Sequence, residues 1–81
     1  MSMSINQRVG RRIKVRRVEL GMTQADLAEK ITVGQSNLSC IERGERDVSV
    51  SLLDEIARAL KCKPEDFLRE FQDAASVVTH A

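Results

Sequence analysis

Trp and Tyr are absent from this 81-residue chain, and Phe occurs only twice. A core so poor in aromatics must be built mainly from Ile, Val, Leu, Ala and Met. That composition suits short helices packed on one another better than a sheet. No apolar run approaches the ~20 residues that span a bilayer, and the N-terminus lacks the apolar stretch of an export signal. A cytoplasmic location is expected. Histidine is nearly missing as well, with His80 alone near the end. Cys40 and Cys62 have no His or Cys partners at zinc-ligand spacing, so free thiols are expected and no metal. There is no Ser-His-Asp set, paired carboxylate site or phosphate-binding glycine loop. Catalysis is not expected, and no cofactor, membrane or small-molecule ligand is implied. What remains is one small domain with a core of marginal size.

The net charge is +1, and its distribution says more than its total. Residues 1–17 hold Arg8, Arg11, Arg12, Lys14, Arg16 and Arg17 without an acid, which gives +6; residues 18–81 carry −5. A basic segment of this kind is either a solvated helix face or a surface for phosphates.

The chain is organised around Thr23 to Gly44, TQADLAEKITVGQSNLSCIERG. Thr23 is an expected N-cap with Asp26 three residues on, a capping-box variant. Leu27, Ala28 and Ile31 share one helical face. A second helix is expected from Gln35 to Arg43, burying Leu38 and Ile41 and ending at Gly44, which accepts the left-handed conformation. The polar residues Gln35, Ser36, Asn37 and Ser39 lie toward its N-terminal end. Two short helices across a tight turn, the second carrying amides and hydroxyls outward, form a helix-turn-helix.

From about Val9 to Phe67 the chain resembles the Cro/C1-type helix-turn-helix regulators, typified by the lambdoid phage repressors. The resemblance is carried by Arg17, Leu20-Gly21-Met22-Thr23-Gln24, Leu27-Ala28, Val33, Leu38, Ile41-Glu42-Arg43-Gly44 and Leu53-Ile56-Ala57-Leu60. The stretch from Glu42 to Ser49, with Val48 where many relatives carry Pro, also resembles the controller proteins of restriction–modification systems. The resemblance implies an all-α, compact five-helix domain of the lambda-repressor-like DNA-binding type. It implies a transcriptional regulator that reads double-stranded DNA in the major groove. Gln35, Ser36, Asn37 and Ser39 are then the expected base readers, since amides pair with adenine edges and hydroxyls with donors or acceptors. Arg12, Thr23, Gln24, Arg43 and Arg46 are the expected phosphate contacts, with Gln24 also bracing Gln35. Arg17 and Glu42 match a paired Arg and Glu of the family. Independently, Arg17 lies on the apolar side of the first helix, where a buried guanidinium demands a carboxylate. The chain departs from the pattern at Thr32, where Gly is usual, at Gly34, where a Ser or Thr cap is usual, and at Cys40, where Arg or Lys is common.

Around the motif, residues 1–5 are expected to be flexible and 6–70 to form the domain. The first helix is expected from Asn6 to Leu20 with Val9, Ile13 and Leu20 buried, and the second from Gln24 to Lys30. Ser49, or Ser51 paired with Asp54, is the expected cap of a fourth helix with Leu52, Leu53, Ile56, Ala57 and Leu60 on its apolar face. Pro64, Glu65 and Asp66 suit the first turn of a fifth helix, with Phe67 and Leu68 closing the core. Residues 71–81 form a tail that either extends the last helix through Phe71, Ala74 and Val78, at the spacing of a helix–helix seam, or frays from residue 74 onward. One copy presents little area for the ~10⁻⁸ M affinity of specific sites, so a homodimer is expected. The alternative is a protein-interaction module or antitoxin whose helices bind a protein partner.

Overall fold

The computed structural model describes residues 3–69. The expected extension through Phe71, Ala74 and Val78 lies outside them. The described residues form four α-helices and one short 3-10 helix, with no strand among them.

Helix α1 runs from Ile5 to Glu19. The Ser4 hydroxyl accepts the Gln7 N–H at 3.1 Å, and the Gln7 side chain accepts the Ser4 N–H at 2.9 Å. This reciprocal box begins the helix one residue before Asn6, inside the segment expected to be flexible. The signal was the Ser4-x-x-Gln7 pattern. The helix buries Val9, Gly10, Ile13 and Arg17. Leu20, expected in that stripe, is exposed. The helix stops at Glu19, Leu20 becomes the C-cap, and Gly21 at φ +71° turns the chain away. The guanidinium of Arg17 occupies the end of the stripe instead.

Helix α2 spans Gln24–Ala28, two residues shorter than expected. Its cap is the expected one: Thr23 Oγ1 accepts the Asp26 N–H at 3.0 Å, and Asp26 Oδ2 accepts the Thr23 N–H at 2.9 Å. Helix α3 spans Gln35–Glu42, with Gly34 as N-cap and Gly44 at φ +77° after it. Thr32 has no left-handed backbone. The turn is fastened from outside, because Thr32 donates both its N–H and its hydroxyl to the Glu55 carboxylate, at 3.0 and 3.1 Å.

Helix α4 spans Val50–Ala59. Ser49 caps it by accepting the Leu52 N–H at 3.1 Å. Ser51 lies inside the helix, and Asp54 pairs with Arg58 rather than closing a box. Lys61, at φ 59°, takes the left-handed place that glycine usually fills after a helix. The expected fifth α-helix is a single 3-10 turn, Pro64–Phe67. Its N–H groups bond three residues back, Asp66 to Lys63 and Leu68 to Glu65. Phe67 is buried at 2% exposure and Leu68 points outward.

The core is a single aliphatic cluster closed by that phenylalanine. Ile13, Leu27, Leu38, Ile56 and Leu60 lie at its centre, with Val9, Ile41 and Leu53 around them. Burying such a side chain contributes ~1.5–3 kcal/mol, so these residues set the angles at which the helices meet.

Candidate nucleic-acid interface

Helix α3 is held by its buried end and displayed by its other. At the buried end, Arg17 Nε donates to Glu42 Oε2 at 2.7 Å and Arg17 Nη2 to Glu42 Oε1 at 3.0 Å. The side chains are 9% and 2% exposed. Arg17 Nη1 donates to the Met22 carbonyl at 2.7 Å, and the Gln24 amide donates to Glu42 Oε1 at 3.0 Å. The hydrogen bonds that Arg17 donates to Glu42 hold its guanidinium above its usual pKa. One carboxylate thus ties together the end of α1, the following turn, the start of α2 and the end of α3. The expected Arg17–Glu42 pair is present. Gln24 departs from expectation: its amide reaches Glu42, and the brace on Gln35 is not made.

Helix α1 meets α3 at Gly10. A Cβ there would stand 2.8 Å from the Glu42 carbonyl oxygen and closer still to that of Ile41. Gly10 is not among the site residues expected from the sequence. Its signal was a glycine inside a helix, which costs roughly 0.5–1 kcal/mol against Ala and needs a reason.

At the displayed end, Gln35 and Ser36 are exposed, while Asn37 and Ser39 are half-buried. Gly34 has open space around its Cα, so the start of α3 is accessible to a close partner. Arg46 Nη1 donates to Asn37 Oδ1. Arg43 donates to Ser39 Oγ and, through Nε and Nη2, to the two oxygens of Glu45 at 2.9 and 3.1 Å. The Arg43 fork pulls the Glu45 carboxyl below its usual range, and Glu45 in turn raises the guanidinium. Thr23, exposed at the start of α2, spends its hydroxyl on the Asp26 N–H. Backbone and side-chain hydrogen bonds from Thr23 hold the Asp26 carboxyl low.

Arg12 stands apart from these residues. Its Nε donates to the Arg69 carbonyl at 2.8 Å, and it lines an open cleft with Arg16, Lys61 and Lys63. On a helix of 3.6 residues per turn that flank is opposite the one bearing Gly10 and Arg17. Lys14, four residues after Gly10, is an exposed α1 cation on the side of α3, beside the buried Arg17.

Two short helices, clamped at one end and presenting amides and hydroxyls at the other, define a DNA-binding helix-turn-helix unit. The chain belongs to the Cro/C1-type helix-turn-helix family of transcriptional regulators, whose family model matches residues 13–67. It is similar to the immunity repressor protein of Bacillus phage phi105, 46% identical over 52 residues, which cover 64% of this chain and 36% of that protein. The chain therefore spans about a third of the phage repressor's length. It is also similar to control protein C.BamHI of Bacillus amyloliquefaciens, 38% identical over 58 residues, covering 68% and 72% of the two chains. Among solved structures, the biofilm master regulator SinR in complex with DNA is 35% identical. It covers 75% of this chain and 98% of its own, with a TM-score of 0.71.

Proposed function

We propose that the protein binds double-stranded DNA as a homodimer and regulates transcription by setting the first turn of α3 in the major groove. The observation that carries this reading is the accessible start of α3, free around Gly34 and lined by Gln35, Ser36 and Asn37, on a helix clamped through Glu42. Gln35, Ser36, Asn37 and Ser39 read base edges. Thr23, Gln24, Arg43 and Arg46 meet phosphates around them. From α1 the phosphate contact falls to Lys14, because Arg12 points to the far flank. The protein acts by binding, without a catalytic step, on DNA in the cytoplasm. Repression of a promoter fits the immunity repressor among its relatives. A protein-binding module would carry an apolar patch on the outer face of α3, and that face carries Gln35, Ser36, Asn37, Ser39 and Arg43 instead.

Selection of duplexes from a randomised pool with the purified chain tests this and yields the operator. Gln35→Ala and Asn37→Ala should each weaken operator binding, with bidentate amide–base contacts worth ~1–3 kcal/mol of discrimination. Binding to scrambled DNA should barely change. Equal losses on both duplexes, or no enrichment of any sequence, would refute direct readout by α3.

A further inference from the structure

The fork between Arg43 and Glu45 joins no two elements of the fold. Both side chains are about half exposed, at 54% and 55%, and exposed pairs of this kind contribute little to stability. The placement of the fork is informative. The guanidinium lies back along the last turn of α3, with Nη1 on Ser39 Oγ and Nη2 3.5 Å from Cys40 Sγ. Nε and Nη2 grip the two oxygens of Glu45. Every nitrogen of Arg43 is therefore engaged on the surface that faces DNA, and its charge is balanced by an acid of the same loop. To grip a phosphate, Arg43 must exchange one bidentate oxyanion for another. Glu45 is then left beside a polyanion.

We propose that Glu45 is a specificity-determining residue, holding Arg43 away from the DNA backbone until α3 is seated on its operator. The inference rests on α3 being the reading helix. On an unrelated sequence the protein is held by phosphates alone, and nothing offsets stranding the Glu45 carboxylate there. On the operator, the base contacts of Gln35 and Asn37 draw the end of α3 into bonding distance of the backbone. The exchange then proceeds, with Ser39 keeping the guanidinium aligned. Glu45 thus subtracts more from non-specific than from specific binding.

The test measures binding of the full chain to a pool-selected duplex and to its scrambled counterpart over a series of salt concentrations. Glu45→Gln should tighten binding to scrambled DNA several-fold and steepen its log–log salt slope by about 0.9, the value of one added phosphate contact. On the selected duplex the slope should stay as in wild type, so the specificity ratio falls. Glu65→Gln makes the same change of net charge on the 3-10 helix and should leave the ratio unchanged. In an Arg43→Ala background the effect of Glu45→Gln should vanish. Equal gains on both duplexes matched by Glu65→Gln, or a gain that persists without Arg43, would overturn the proposal. Wild-type binding that Glu45→Gln leaves untouched overturns it alone. A wild-type chain that enriches no duplex overturns the α3 reading with it.

Discussion

Glu42 is the residue on which most of the motif's geometry converges. Its two oxygens take three hydrogen bonds, from Arg17 and Gln24, in a site nearly closed to water. Removing it leaves the Arg17 guanidinium buried without a counter-charge, which typically costs ~3–5 kcal/mol. Glu42→Ala should therefore lower the melting temperature markedly, and a melting curve superimposable on wild type would show that the clamp contributes nothing. Asp26 makes a smaller, pH-dependent contribution. Its carboxyl is held below the ordinary value of 3.8 by the Thr23 N–H. A depressed folded-state pKa stabilises the fold in full above the unfolded value. That stability is lost as pH falls through the lower folded value. The gap in melting temperature between wild type and Asp26→Ala should be widest at neutral pH and close under acid conditions; a gap that widens in acid would reverse the assigned sign. Most of this was legible beforehand. A cap and its box are local patterns, and an arginine on an apolar stripe needs a carboxylate. The third partner, Gln24, was not legible, because its choice of Glu42 over Gln35 depends on how α2 leans on α3.

Between elements, the contact that brings α1 against α3 depends on one missing methyl group. Gly10→Ala would place a Cβ against the Ile41 and Glu42 carbonyls, which belong to backbone and give way only if the helices separate. Overpacking of this kind costs typically ~1–3 kcal/mol, and contact with rigid backbone at both carbonyls puts Gly10 at the upper end, above the gain of ~1 kcal/mol from the better helix former. Gly10→Ala should therefore shift the denaturant midpoint downward. An unchanged or higher midpoint would mean that the crossing has room to spare. The elements that differ from expectation do so for related reasons. Helix α2 stops at Ala28, and the turn that follows is fastened at Thr32 by the Glu55 carboxylate. The last element tightens to a 3-10 turn that drives Phe67 into the core and leaves Leu68 outside. Neither the partner of Thr32 nor the depth of Phe67 is written in local spacing.

For the whole molecule, one copy offers a single short reading helix, and specific affinity calls for two on a two-fold axis with half-sites about 34 Å apart. Two exposed apolar residues available for such a contact lie at the start of α4 and just after the 3-10 helix: Val50 is 84% exposed and Leu68 47%. The full chain should sediment as a dimer at micromolar concentration, and Val50→Lys should shift it to monomer without lowering the fold's own stability. The selected operator should be palindromic. A chain that remains monomeric at high micromolar concentration, or an asymmetric operator, would contradict this arrangement.

Legible from local pattern were the helical class, the caps at Thr23 and Ser49, the glycine ends at Gly21 and Gly44, helix α3 and the Arg17–Glu42 pair. Each follows from spacing within a few residues or from the need to neutralise a buried charge. Tertiary structure alone decided that Arg12 faces the far flank, that Gly10 is the crossing point, and that Arg43 and Arg46 are held by Glu45 and Asn37. These depend on which surfaces meet once the core has closed, and periodicity along one helix carries no record of its neighbour.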